Sequence, residues 1–251
     1  MSEAFNPFSL KGKQILITGA SSGIGKGIAL ACAAMGATVI LNGRNSSRLN
    51  EVLSQMTGSG HAVFPVDLGD RDVVSSMVGK LPKLDGVVMC AGVANRVPCK
   101  SITEADFDFV IKTNLEAPIL LQAELLAKKK INRAASIVFI ASRAYESPSM
   151  GNAIYSASKG AVVSYAKCLA LELAPRQIRV NCICPGMVWT DLITSVLNEE
   201  DLKVAEQGYP LKRFGHVEDV ASLAIYLLSD ASSWMTGGAI DISGGGEGVL
   251  V

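Results

Sequence analysis

The sequence predicts a doubly wound α/β fold. A parallel seven-stranded sheet with helices on both faces accounts for the 251 residues as a single domain. Three observations predict it. Short, continuously apolar runs recur along the chain, as strands buried on both faces require. Segments with helical spacing separate them, which makes the strands parallel with right-handed crossovers. No repeat, low-complexity tract or linker interrupts the alternation.

Taken in order, residues 14–18 (QILIT) are the first strand, and 24–35, rich in alanine, the first helix, stopped by Gly36. Residues 38–41 (TVIL) are the second strand, 49–56 a helix and 62–66 the third strand. A short helix over 72–78 leads to the fourth strand, 86–90 (GVVMC). Residues 104–130 carry a long helical pattern with Pro118 inside it. A proline there removes a backbone donor and kinks the axis, so 114–118 is an irregular point where backbone groups are freed. Residues 136–141 (SIVFIA) are the fifth strand, 153–174 a helix closed by Pro175, and 178–183 (IRVNCI) the sixth strand. Helical stretches over 191–207 and 217–229 precede the seventh strand, 239–242 (AIDI). A sheet of this kind binds ligands beyond the carboxyl ends of its strands, at the topological switch point.

Composition narrows the function. The chain is 49% hydrophobic, and 23 Lys and Arg balance 23 Asp and Glu. That argues against nucleic-acid binding through bulk charge. There is no run of 18 apolar residues, and the first residues do not read as a signal peptide. The six cysteines are scattered without CxxC spacing, and only His61 and His216 could assist them. They read as free thiols in a reducing cytoplasm rather than as a metal site.

Two stretches carry chemistry. TGASSGIG, Thr18 to Gly25, places Gly19, Gly23 and Gly25 between the first strand and its helix. Glycines permit a tight turn and close backbone approach, and the helix start offers free N–H groups to a diphosphate. Further on, Tyr155 and Lys159 stand four apart, one turn from each other on a helix face. A phenol ionises near pH 10 and is a poor catalyst at neutrality, but an adjacent ammonium favours the phenolate. Ser142, thirteen residues before Tyr155, could hydrogen-bond a substrate carbonyl from a neighbouring element.

TGASSGIG, Cys90-Ala91-Gly92, Asn114, Ser142, Tyr155-x-x-x-Lys159 and the PGMVWT of residues 185–190 together resemble the short-chain dehydrogenase/reductase family, in order and over nearly the whole chain. The resemblance implies a Rossmann-type fold, a nicotinamide cofactor and no metal. It makes Tyr155 the general acid in reduction, Lys159 its helper and the holder of the nicotinamide ribose, and Ser142 the residue that orients the carbonyl. Asn114 would anchor a water in a proton relay; its other reading is an amide bonding local backbone near Pro118. The resemblance assigns the cofactor to Gly19, Ser21, Ser22, Gly23, Ile24 and Gly25, to Asp67 and Leu68, to Cys90, Ala91 and Gly92, and to Pro185, Gly186, Val188 and Thr190, besides Tyr155 and Lys159. Asp67 would accept from the adenine amino group or, alternatively, cap the next helix, a task Asp70 could also do.

One departure from the family pattern is Cys90, which stands where an asparagine usually braces the loop; a thiol is a weak hydrogen-bond partner. At the end of the second strand, NAD-preferring members usually carry an aspartate, and here the position is Gly43. Arg44 follows and can grip a 2′-phosphate, with Asn45 and Ser46 as further donors, so NADPH is the expected cofactor. The nearest branch is the 3-oxoacyl-acyl-carrier-protein reductases, whose two carrier-docking arginines match Arg133 and Arg176. Oxidoreduction of a sugar, polyol or steroid is the alternative, and a non-catalytic NADP(H)-binding protein the remote one. Residues 191–210 would be the substrate lid, with Leu192, Val196, Leu197 and Tyr209 covering an apolar substrate or packing a helix. Family resemblance also implies a homotetramer, which the apolar faces of the helices over 104–130 and 153–174 support; the apolar tail Val249-Leu250-Val251 is expected to pack on a neighbour.

Overall fold

Strand β1 (Gln14–Ile17) shows how the sheet is buried on both faces. Ile15 and Ile17 pack into one core and Leu16 into the other, all three fully buried. The computed structural model describes residues 6–194 and 198–246. In chain order after β1 come α1 (Gly23–Ala34), β2 (Thr38–Gly43), α2 (Ser46–Ser54), β3 (Ala62–Pro65), α3 (Arg71–Lys80) and β4 (Leu84–Met89). Then follow α4 (Glu104–Ile111), α5 (Ala117–Ala127), β5 (Ile131–Ile140), α6 (Ala153–Leu173) and β6 (Arg179–Pro185). The last elements are α7 (Asp191–Thr194), α8 (Glu199–Gly208), α9 (Val217–Leu228) and β7 (Ala239–Ile242).

All strand pairs are parallel and the order is β3-β2-β1-β4-β5-β6-β7. The fold is the predicted Rossmann-like α/β sheet. Helices α1, α2 and α9 cover the face of Ile15 and Ile17; α3, α5 and α6 cover the face of Leu16. From β1 the chain moves outward to β2 and β3, then returns to lay β4 on the other side of β1. The crevice beyond the carboxyl ends of β1 and β4 is therefore the switch point.

Three local departures from the sequence reading have physical causes. The helical pattern over 104–130 divides into α4, a π-helical turn over Lys112–Glu116, and α5. The Ala117 N–H reaches back five residues to the Lys112 carbonyl, and Pro118 has no N–H for the Asn114 carbonyl four residues earlier. Strand β5 starts five residues before the expected boundary. Ala134 there has φ of 59°, and the pairing with β4 shifts between Leu84 and Gly86, the signs of a bulge. The stretch 191–207 contains two helices, α7 and α8, rather than one. Leu202 of α8 packs with Tyr209 and Phe214 in a small third core, against Met187, Trp189 and Ile193. The expectations for the side chain of Leu192, for Val196 and Leu197, and for residues 249–251 lie outside the described residues.

Candidate active site

At the first strand-to-helix junction the backbone is packed so closely that side chains have no room. Gly19 has φ of 66°, and a Cβ there would stand 2.9 Å from the Ala91 N and Cα. A Cβ on Gly25 would stand 2.3 Å from the Gly19 carbonyl oxygen. Helix α1 starts at Ser22, whose side chain makes no capping bond, with no acidic residue in the first turn. By contrast α2, α3, α4 and α8 are capped by the side chains of Asn45, Asp70, Thr103 and Asn198. The N-terminus of α1 is thus left with free N–H groups and its partial positive charge at the switch point.

The loop after β4 is held from β1. Thr18 Oγ1 accepts from the Cys90 N–H (3.0 Å) and the Ala91 N–H (3.1 Å), and donates to the Val88 carbonyl (3.4 Å). Thr18 is buried. It braces the loop that Cys90 cannot brace. The Cys90 thiol itself is pushed up to about 12 by burial, an effect that nearby Lys159 opposes, and it stays neutral.

Lys159 is 6% exposed, and its Nζ donates to the Ile140 carbonyl at 2.9 Å, at the end of β5. The ammonium lies 5.6 Å from the centroid of the Tyr155 ring. Ser142, just past β5, accepts the Ala144 N–H at 3.1 Å and so opens a short 3₁₀ turn. The buried Asn114 side chain accepts from the Val93 N–H (2.8 Å) and donates to the Val93 carbonyl (2.9 Å) and to Ser158 Oγ (3.2 Å). Its side chain therefore ties the loop after β4 to α6. A Cβ on Gly92 would come within 3.3 Å of Asn114 Oδ1 and 3.5 Å of Lys159 Nζ.

These elements enclose a cleft of about 930 Å³. The first junction lines it with Gly19, Ser21, Ser22, Gly23, Ile24 and Gly25. Arg44, Asp67 and Leu68 follow from the ends of β2 and β3, and Cys90, Ala91 and Gly92 from β4. Ser142, Tyr155 and Lys159 line it further along, with Pro185, Gly186, Val188 and Thr190 after β6. Two expected residues do not line it. Asn114 lies behind the wall. Asn45 is taken up in capping α2, where its Oδ1 accepts the Arg48 N–H at 3.0 Å. Among the described residues Asp67 accepts the nearby Gly69 N–H, at 2.9 Å, and Asp70 is the residue that caps α3.

Two buried polar residues, Thr18 and Asn42, have partners that no motif assigned; Thr18 opens the TGASSGIG turn and holds the loop after β4. Asn42, 1% exposed, donates to the Phe64 and Val66 carbonyls at 3.1 Å each, and its Oδ1 has no partner although the residue lines the cleft. The signal for Asn42 was present: an amide inside an otherwise apolar strand demands partners.

The loop after β6 is tied to the small third core. Trp189 Nε1 donates to Glu206 Oε1 (2.6 Å), which also accepts the Phe214 N–H (2.9 Å). Backbone bonds join Met187 and Trp189 to Gly215 (2.9 Å each). Arg213 grips Asp219 with two bonds, of 2.6 and 3.0 Å, at the start of α9. That contact holds the Asp219 carboxyl down at about 2.

Arg133 and Arg176, the expected carrier-docking pair, do not line the cleft. Both lie at the amino ends of β5 and β6. Helix α6 and its extension carry the chain from Tyr155 to Arg176, about 30 Å at 1.5 Å per residue. Arg176 donates to the Ile131 carbonyl at 2.5 Å, and exposed Arg133 donates to Gln177 at 3.3 Å.

Comparison with known proteins agrees with this architecture. A family model described as enoyl-(acyl carrier protein) reductase matches residues 19–247. The 3-oxoacyl-acyl-carrier-protein reductase FabG of Rickettsia felis is 36% identical over 236 residues, 94% of this chain and 97% of the relative. An L-xylulose reductase of Caenorhabditis elegans is 35% identical over 240 residues, 93% of this chain and 95% of the relative. Among solved structures, a 7α-hydroxysteroid dehydrogenase complexed with NADH and 7-oxo glycochenodeoxycholic acid superposes with a TM-score of 0.90 at 30% identity, covering 99% of this chain and all of that one.

Proposed function

The chain belongs to the short-chain dehydrogenase/reductase family of oxidoreductases, and from that premise we propose that it reduces 3-oxoacyl thioesters to 3-hydroxyacyl thioesters with NADPH. The observation that carries the catalytic part is the buried Lys159 ammonium, fixed by the Ile140 carbonyl beside the Tyr155 ring in an open cleft that Ser142 also lines.

The cleft fits a dinucleotide on its own geometry. The close-packed glycines, the uncapped start of α1 and the unpartnered Asn42 Oδ1 form a cradle for a ligand with phosphates and donors. Gly19 to Gly25 would hold the diphosphate, Arg44 a 2′-phosphate, Asp67 and Leu68 the adenine, and Gly92, Lys159, Pro185, Gly186, Val188 and Thr190 the nicotinamide end. Bound there, the nicotinamide supplies the hydride. Ser142 orients the ketone oxygen by hydrogen bond. Tyr155 donates its phenolic proton to that oxygen as negative charge develops. Lys159 stabilises the phenolate that remains, and does so strongly because its surroundings exclude water. Asn114, with its side chain fixed and its carbonyl freed by Pro118, anchors a water through which the proton is replaced. Residues 191–210 act as the lid.

The thioester reading rests on likeness to the carrier-protein reductase. The likeness to L-xylulose reductase and to a steroid dehydrogenase supports a sugar or steroid as the second reading. NADPH absorbance followed with acetoacetyl-CoA, L-xylulose and a 7-oxo bile acid, each also with NADH, separates them. Activity confined to the thioester with NADPH is expected. No turnover of any ketone, with NADPH still bound, would leave a binding protein without catalysis.

Two further parts of the proposal concern assembly. Phe107 on α4 and Leu171 on α6 leave large apolar side chains at the surface, in keeping with a homotetramer, which light scattering tests. Carrier docking at Arg133 and Arg176 then fits only between copies, with the arginines of one serving the cleft of another. Arg133→Glu, which leaves the Arg176–Ile131 bond intact, should slow carrier-linked substrate alone; equal rates on carrier-linked and free thioesters would remove the docking idea. All six cysteines are free, which suits a reducing, cytoplasmic setting.

A further inference from the structure

Beyond the residues assigned to the cofactor, the cleft is lined by apolar Val93, Ala94, Phe109, Met187 and Ile193 together with several polar and charged side chains. Such a surface suits an acyl chain or a sterol. Its cations and acids are nearly all spoken for. Lys112 pairs with Asp108 at 2.8 Å. Arg143 is neutralised by Glu146 (2.8 Å) and Asp241 (2.5 Å). Asp191 opens α7, where the helix dipole favours it. Arg96 differs. It lines the cleft, half-buried, and among the described residues no carboxylate pairs with it.

Arg96 is nonetheless held in place. Its Nη2 donates to the Met150 carbonyl at 2.9 Å, and the next residue's N–H (Val97) donates to the Gly151 carbonyl at 2.8 Å. These bonds fix the loop after β4 to the segment that leads into α6, four residues before Tyr155. One corner of the guanidinium is used and the others keep donors to give. An unpaired, half-desolvated guanidinium in a binding cleft is costly unless a ligand answers its charge.

Resting on the reductase reading above, we propose that Arg96 is a specificity-determining residue that receives an anionic group, carboxylate or phosphate, of the ketone substrate. The apolar wall holds the carbon chain and Arg96 selects chains that end in, or carry, negative charge. Neutral sugars and neutral sterols lack the group it selects.

Three related ketones test this: acetoacetate, which carries a carboxylate; acetoacetyl-CoA, which carries phosphates; and ethyl acetoacetate, which is neutral. In Arg96→Met, kcat/KM should fall by roughly 10- to 150-fold for one or both anionic ketones, the value of one charge-assisted contact, and change less than about twofold for the ester. Arg96→Lys should restore part of the loss. A fall confined to acetoacetate assigns a carboxylate, and one confined to acetoacetyl-CoA a phosphate. Equal loss on all three ketones would make Arg96 a brace for the segment before Tyr155 and overturn the proposal, as would no loss on either anion. The same comparison by ligand-induced thermal shift, with NADP+ present, reads binding alone. If that difference persists while nothing is turned over, the reductase reading fails and the role of Arg96 stands.

Discussion

On the side of the cleft formed by β1, β2 and β4, the walls are made by backbone. Glycines at 19 and 25 bring main chain against main chain, the start of α1 is left uncapped, and one buried hydroxyl, Thr18, holds the facing loop. On the other side the walls are made by side chains. Tyr155 and Lys159 project from α6, and Trp189, Glu206 and Phe214 tie the loop after β6 to a small core of its own. On the proposed function the first side would recognise what all dinucleotides share, a phosphate chain, for which backbone N–H groups suffice. The second would distinguish one ketone from another, for which side chains are needed.

If this division is right, substitutions on the backbone side should act on folding and cofactor binding together. Thr18→Val keeps the shape and removes the acceptor for two half-buried N–H groups, a cost of about 2–4 kcal/mol. The melting temperature should fall by roughly 5–15 °C, with weaker NADPH binding. Thr18→Ser should be close to wild type, and a Val variant as stable as wild type would show that the loop is held by other means. Gly19→Ala combines a left-handed backbone with a Cβ 2.9 Å from Ala91. We expect about 3 kcal/mol of combined strain, and NADPH binding weaker by about a hundredfold in a fluorescence titration. Unchanged affinity would mean that Ala91 can retreat freely.

Arg44 sharpens the comparison, because on the proposed function its side chain lets the nucleotide side discriminate. Arg44→Ala should raise KM for NADPH by roughly 10- to 150-fold and leave NADH almost unchanged. A wild-type enzyme that uses NADH equally well would show that Arg44 faces no phosphate. The smallest effect concerns the Arg213–Asp219 clamp that supports the loop after β6. Contact with Arg213 lowers the Asp219 carboxyl from 3.8 to about 2. A depressed carboxylate stabilises the fold fully above its unfolded value and loses that contribution as pH falls through the folded one. Asp219→Asn should therefore melt slightly below wild type at neutral pH, and the two melting curves should converge between about pH 4 and pH 2. A gap that is constant over that range would separate the clamp from the titration.

The same division explains what could be read in advance. The alternation of apolar runs and helices, the glycine turn and the Tyr-Lys pair are local patterns, and the strands and their parallel sense followed from them; the other cofactor-side residues of the cleft came from the family resemblance. The irregularity near Asn114 was legible because proline acts on its own helix. Thr18 was not, because its partners, Cys90 and Ala91, are more than seventy residues away. Asn45 reads as a cofactor donor in sequence, and in the fold its Oδ1 caps α2 while the residue stands outside the cleft lining. Arg133 and Arg176 match by resemblance alone, and at the amino ends of their strands they stand away from the cleft. The early start of β5 was hidden by Asn132 and Arg133, polar residues that broke the apolar run.

The central claim, that this chain performs ketone reduction with Tyr155 as the proton donor, is tested most directly by Tyr155→Phe. The ring stays and only the hydroxyl goes, so packing and the cofactor cradle are left intact. NADPH binding by fluorescence and acetoacetyl-CoA reduction by absorbance are measured on the same preparation, wild type beside variant. Equal NADPH affinity with turnover lower by about 10²- to 10⁴-fold is the predicted result. A Phe variant that binds NADPH normally and keeps a near-wild-type kcat would contradict it.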